Sequence, residues 1–152
     1  MKEELYWGKL TWGLFHTIAE QIQEPKELNN IKKLVEVICQ HLPCPHCRDH
    51  AKIYLKRKTL DKYVKTRNDL KMYLYEFHNV VNVRTKKKIQ PTQILEQYSK
   101  VNLLNLLNMW VKYFKIFKIT PYTIKEHSDR EKIKVDVYKY VNNYLSKLKS
   151  AK

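Results

Sequence analysis

Apolar side chains return along this chain every three or four residues, the spacing that gathers them on one face of an α-helix. Over residues 5–23, Leu5, Trp12, Phe15, Ala19 and Ile22 make such a stripe, Glu3 and Glu4 suit a first helical turn, and Pro25 ends it. Residues 26–41 repeat the pattern through Leu28, Ile31, Leu34, Val35 and Ile38, and a third helix starts at Cys44 and Cys47 and runs through Ala51, Ile53, Tyr54 and Leu55. Lys56 to Thr59 reads as a solvated turn. A fourth helix over 68–84, capped by Asn68 or Asp69, packs Leu70, Tyr73, Leu74 and Phe77, and Pro91 opens a short fifth through Ile94, Leu95 and Tyr98. The character then changes. Residues 100–119, with Trp110, Tyr113, Phe114 and Phe117, are apolar around much of their circumference, Pro121 interrupts, and residues 129–149 form a last amphipathic helix through Ile133, Val137, Tyr140, Val141, Tyr144, Leu145 and Leu148.

Composition agrees with helices throughout. Gly8 and Gly13 are the two glycines and there are five prolines, poor punctuation for hairpins or for a phosphate-cradling loop, so the expected class is all-α. At 152 residues and 43% apolar content, one compact domain with an appendage is the expected plan: residues 1–98 as the functional domain and residues 99–152 as a helical extension. The formal charge of +15 would attract nucleic acid, acidic lipids or acidic proteins, but it is a lysine-dominated charge of the kind an AT-rich genome also produces. No stretch reaches the ~20 apolar residues of a membrane span, and the N-terminus lacks the pattern of a signal peptide.

Three cysteines are too few for a secreted disulfide scaffold, and their arrangement points to redox or metal chemistry. In Leu42-Pro43-Cys44-Pro45-His46-Cys47 the thiols fall on one helical turn, close enough to bond or to share a metal. The prolines fit a helix start, where a backbone donor has no partner. Cys44 then sits at the positive end of a helix, where free amide groups favour a thiolate. The same place would suit a structural zinc ligand. On the first helix Gly8, Trp12 and His16 fall four apart and present a gap, a ring and an imidazole in a row, which serves either a core tryptophan beside a satisfied histidine or a planar ligand. Near the end of the fourth helix His78, Asn79 and Asn82 cluster ahead of Lys86, Lys87 and Lys88; this is a polar helix end or a surface for a heterocycle, ribose and phosphate.

Taken together, Trp7-Gly8-x-x-x-Trp12-x-x-x-His16-Thr17, then Leu42-Pro43-Cys44-x-x-Cys47, then Phe77-His78-Asn79-x-Val81-Asn82 resembles the Erv/ALR family of FAD-linked sulfhydryl oxidases, most closely the short forms of large cytoplasmic DNA viruses. The resemblance covers about residues 5 to 98 and implies a four-helix bundle plus a short fifth helix, to which the C-terminal helical extension is added. It implies bound FAD, with Cys44 and Cys47 catalytic and Cys47 beside the flavin. Gly8, Lys9, Trp12, His16, His50, His78, Asn79, Val81, Asn82 and Lys87 match the cofactor-binding positions. The family usually has leucine where Thr85 stands and often proline where Lys88 stands. It often carries a second, shuttle cysteine pair, absent here; Cys39 fits a small buried core residue.

The implied reaction oxidises thiols to disulfides and passes electrons to O2, giving H2O2. The implied partners are a thiol protein, for instance a thioredoxin-like relay, and a second copy of the chain through the apolar faces of the first helices. The setting would be a host cytoplasm, virus factory or virion. No specific nucleic-acid reading motif is present. The strongest rival from the residues alone is a zinc module built on Cys44, Cys47 and His50 with His41 or Cys39, although its ligands would crowd into twelve residues; a second, resting on charge and many tyrosines, is a basic nucleic-acid-binding helical module.

Overall fold

A computed structural model describes residues 6–116 and 118–151, and every described element is helical. Glu3, Glu4, Leu5 and Phe117 therefore lie outside the described residues. The chain runs α1 (Tyr6–Gln21), a 3-10 turn (Pro25–Glu27), α2 (Leu28–Gln40), α3 (Pro45–Arg57), a one-turn α4 (Leu60–Tyr63), α5 (Arg67–Arg84), a 3-10 helix (Thr92–Lys100), α6 (Leu103–Tyr113) and α7 (Ile124–Ser150). Helices α1, α2, α3 and α5 form the bundle, the Thr92–Lys100 segment lies along α1 as the short fifth helix, and α6 and α7 are the C-terminal extension.

Most of the predicted stripes are buried. Phe15, Ala19 and Ile22, then Ile31, Val35 and Ile38, then Leu70, Leu74 and Phe77 are nearly solvent-free and meet in one core, joined by Leu14 and Ile18, which lie outside the predicted α1 stripe, while Trp12 is only partly buried. Each such side chain contributes about 1.5–3 kcal/mol when fully buried. That core continues through Leu103, Leu107, Trp110 and Phe114 of α6 and Ile133, Val137 and Val141 of α7. Trp110 is completely buried, donates its indole N–H to Thr11 Oγ1 at 3.0 Å and stacks on Phe114. A Cβ on Gly13 would meet Leu106 at 3.5 Å, so α6 lies close along α1 there. From α7, Tyr140 and Tyr144 donate to the carboxylates of Glu27 and Glu24.

Helix ends show how a glycine-poor chain terminates its helices. Both glycines sit inside α1, so no described helix can end on the left-handed glycine that commonly caps a C-terminus. Distant side chains take over. Arg67 donates from Nε to Ala19 O at 3.2 Å and from Nη2 to Glu20 O at 2.9 Å, closing α1. Gln21 Nε2 donates to Tyr98 O and Val101 O and pins the Thr92–Lys100 segment. At the end of α5 a lysine takes the glycine place: Lys86 has φ 59°, its N–H reaches Val83 O at 3.2 Å and the Lys87 N–H reaches Asn82 O at 2.7 Å.

Several boundaries differ from those predicted. The cap of α5 is Thr66 rather than Asn68 or Asp69; Asp69 is its partner in a reciprocal capping box. Helix α7 begins at Ile124, five residues before the predicted start, and α6 ends at Tyr113. Lys58 is not simply solvated, because its ammonium group binds Glu76 at 2.8 Å and its carbonyl accepts from the Tyr73 hydroxyl.

Candidate active site

Helix α3 begins at the cysteine pair. Cys44 is its N-cap with extended backbone, Pro45 is the first helical residue, and the Cys44 sulfur accepts the Cys47 N–H at 3.3 Å. A thiolate at that position therefore receives an amide hydrogen bond as well as the favourable end of the helix dipole. All three cysteines are free thiols. Cys44 and Cys47 are both partly exposed, but they face different surroundings: Cys47 lines a large cavity and Cys44 does not. Burial, helped by the Cys44 sulfur, pushes the Cys47 thiol up to about 11, while Arg84 acts in the opposite direction.

The cavity measures about 750 Å³, within the range of about 300–1,000 Å³ usual for small-molecule sites. Its flat walls are aromatic, from Trp7, Trp12 and Phe15 of α1 to Phe77 of α5 and Tyr98. Four cations, Lys9, Arg84, Lys87 and Lys88, stand around it. Gly8 lines it too, and a Cβ added there would meet nothing within 4 Å. Planar walls joined to clustered cations suit a ligand made of rings and phosphates.

Of the residues singled out in the sequence, Gly8, Lys9, Trp12, Cys47, His78, Val81, Asn82 and Lys87 line this cavity. His16 stands one layer behind. Trp12 and His78 stack at 4.3 Å with an interplanar angle of 3°, and the His16 and His78 rings share a 2.9 Å hydrogen bond between Nε2 and Nδ1. Tyr98 also stacks on His16, with ring centroids 4.9 Å apart. Asn82 is buried and donates to Asn79 Oδ1 at 3.2 Å; Asn79 in turn exchanges two hydrogen bonds with the Gln90 backbone. Asn79 thus fixes the returning chain that follows the lysines and is not part of the cavity wall. His50 is exposed on α3 and away from that wall. Cys39 is buried, with its thiol pushed up to about 12 by desolvation, and it also borders the cavity.

Sequence reasoning passed over Arg84 and Tyr98 as site residues. Arg84 lies three residues beyond Val81, which is the signal that would have placed it on the same helical face. Among the described residues no group of three or more histidine, cysteine or acidic side chains is placed to hold a metal ion.

The histidine pair makes acid stability predictable. Burial, followed by the neighbouring His78, holds His16 down to about 3; burial, followed by Lys87, holds His78 down to about 4. Both rings are therefore neutral in the folded protein at pH 7, whereas in the unfolded chain they protonate near pH 6.5. Stability should be complete above that pH and fall as pH drops toward 4, with a slope of at most about 1.4 kcal/mol per pH unit for each ring. Urea denaturation at pH 7 and pH 5 checks this: His16→Gln should flatten the difference, and an unchanged pH dependence would contradict the assignment.

Residues 9–100 match the family model described as the Erv1 / Alr family. An FAD-linked sulfhydryl oxidase named ERV1 from Oryza sativa is 35% identical over 95 residues, which span 60% of this chain and 47% of the rice protein. The FAD-linked sulfhydryl oxidase of an African swine fever virus isolate is 32% identical over 88 residues, 56% of this chain and 72% of the viral one. A protein of Invertebrate iridescent virus 3, whose name assigns it to the same class, is 33% identical over 84 residues, 53% of this chain and 57% of its own. The chain spans about half the length of the first of these curated relatives. No solved structure matches it. With the family match covering more than half of its length, and the cysteine pair and the histidine-asparagine signature inside the matched region, the chain belongs to the Erv1 / Alr family.

Proposed function

We propose that this chain is an FAD-linked sulfhydryl oxidase in which Cys44 exchanges disulfides with a protein thiol substrate and Cys47 connects the pair to the cofactor cavity. One observation carries the reading: of two thiols on one helical turn, Cys47 walls a ring-lined, cation-rimmed cavity and Cys44 stands outside it. The residues fit FAD by their chemistry. Trp12 and His78 offer flat faces, Lys9, Arg84, Lys87 and Lys88 offer charge for a diphosphate, and Gly8 leaves space that a large side chain would fill.

The protein groups divide the work. A substrate thiolate attacks the Cys44 sulfur of the Cys44–Cys47 disulfide, and Cys47 leaves as a thiolate. Arg84, which counters the effect of burial on Cys47, favours that departure. The second substrate thiol then attacks its own sulfur in the mixed disulfide, and Cys44 leaves reduced. Bound FAD supplies the acceptor for the two electrons released when Cys44 and Cys47 re-form their disulfide, and O2 takes them as H2O2. Burial holds Cys39 neutral, which takes it out of the exchange; the proposed donor is a dithiol protein, for instance a thioredoxin-like relay.

Among the described residues no helix is long and apolar enough to cross a membrane. The proposed setting is disulfide formation in the cytoplasm of a virus-infected cell, as the viral relatives encourage. A second copy, if it binds, would meet a surface other than the side of α1 that α6 already covers. Purified protein should consume O2 and release H2O2 when given reduced dithiothreitol or a reduced thioredoxin-like protein; failure with both, in FAD-loaded protein, would overturn the reading.

Gly8 supplies a graded test of the cavity. Gly8→Ala should fold at least as well as the parent, since alanine is the better helix former by about 1 kcal/mol and meets open space. Gly8→Phe should remain folded by circular dichroism but lose most of its FAD. Full FAD content in Gly8→Phe would place the cofactor elsewhere.

A further inference from the structure

The backbone just before the redox cysteines is short of its own hydrogen bonds. Helix α2 ends at Gln40, and its last turn would ordinarily be closed by backbone N–H groups of the residues that follow. Two of those residues are Pro43 and Pro45, which have no N–H. The backbone anchors around the turn are the His41 N–H to Ile38 O and, beyond the cysteine, the Arg48 N–H to Cys44 O. The intervening carbonyls are capped by side chains. Arg130 of α7 donates from Nε to His41 O at 2.6 Å and from Nη2 to Leu42 O at 3.3 Å. Arg48 adds a second donor to Leu42 O at 3.1 Å and pairs with Glu126, also on α7, at 3.3 Å.

Arg130 is unusual for its burial. It is 1% exposed, and among the described residues it has no salt-bridge carboxylate within 4 Å and its Nη1 has no hydrogen-bond partner. Burial and nearby Arg48 both work against its charge, with Glu126 and Glu131 partly offsetting them. A buried, incompletely satisfied guanidinium is costly, and a packing role alone would be met better by an apolar side chain. Its planar fork suits two adjacent carbonyls, which a lysine's single ammonium group cannot span in the same way.

We propose that Arg130 is a positioning residue for thiol exchange, and that the C-terminal helix thereby forms part of the redox site by holding His41 and Leu42, and so Cys44, in place. This rests on the reading of Cys44 as the exchanging cysteine. The extension is then more than a cover for the core: its first two turns fix the turn that presents the reactive sulfur.

The test is anaerobic bleaching of the FAD-loaded protein by dithiothreitol, followed in a stopped-flow instrument, with FAD content and melting temperature measured on the same samples. Arg130→Lys keeps charge and most of the volume but breaks the fork; it should retain FAD and bleach about tenfold more slowly, since small misplacements of a reacting group are that costly. Arg130→Met should bleach more slowly still. The double variant Tyr140→Phe, Tyr144→Phe loosens α7 from Glu24 and Glu27 without touching the cysteine turn, so it should lower the melting temperature but bleach within twofold of the parent. The proposal is overturned if Arg130→Lys bleaches within twofold of the parent, or if the tyrosine pair slows bleaching as much as Arg130→Lys does. A parent protein that is yellow but does not bleach would instead defeat the oxidase reading itself.

Discussion

Cys44→Ser is expected to reduce dithiol-dependent O2 consumption to the level of an enzyme-free control while leaving FAD content and melting temperature unchanged. The loss is large because exchange requires a sulfur that can form and release a disulfide, and a hydroxyl can do neither. Cofactor is retained because Cys44 is the helix cap and not a wall of the cavity; a serine at an N-cap accepts the same backbone hydrogen bond. Cys47→Ser should be equally inactive but should also alter the flavin absorption band, since Cys47 lines the cavity. Cys39→Ala removes the remaining thiol, which burial holds neutral; the variant should still turn over dithiol at the modest stability cost of a small core vacancy, and because Cys39 borders the cavity its turnover is to be read per bound FAD. Substantial turnover by Cys44→Ser would remove Cys44 from the proposed route.

Trp110→Ala should produce the largest loss of stability, about 3–5 kcal/mol, comparable to other buried tryptophan truncations. The indole is fully enclosed, stacks on Phe114 at 4.6 Å and donates to Thr11 Oγ1, so its removal opens a void and takes that donor from a buried hydroxyl, which keeps only its own bond to Trp7 O. For a chain of this size a loss of that order lowers the melting temperature by about 10 °C. Thr11 and Gly13, against which α6 packs, also border the cavity, so FAD affinity should fall with it. Trp110→Phe keeps most of the packing and should cost only about 1–2 kcal/mol, mainly for the lost hydrogen bond. A melting temperature for Trp110→Ala within a degree or two of the parent would mean that α6 does not share the core of the bundle.

How much of this was readable in the chain differs by kind of residue. Stripes such as Ile31, Leu34, Val35 and Ile38 announced buried helix faces because helical periodicity is local, and the prolines around Cys44 announced a helix start for the same reason. The Thr66 cap was equally legible, since Thr66 and Asp69 have capping-box spacing, although Asn68 and Asp69 are themselves good cap residues by type. Helix ends closed from afar were not legible. Nothing near Gln40 points to an arginine 89 residues further on from His41, and nothing near Ala19 points to Arg67. The histidine-asparagine cluster was read as one surface, yet adjacent helical residues point about 100° apart. His78 and Asn82 accordingly reach the cavity, while Asn79 turns to Gln90. His16 shares a helical face with Trp12 by its spacing, but it stands behind His78 and not on the cavity wall, which is a tertiary fact.

The proposed chemistry stands on FAD held in the cavity beside Cys47, in electronic contact with the cysteine pair. Its most direct measurement is the visible absorption spectrum of the purified protein, taken with metal analysis, before and after dithiothreitol under anaerobic conditions and again after air is admitted. The spectrum should show a yellow protein with about one FAD per chain, bleached by the dithiol and restored by oxygen. A colourless protein that carries stoichiometric zinc, and stays colourless after incubation with FAD, would contradict it.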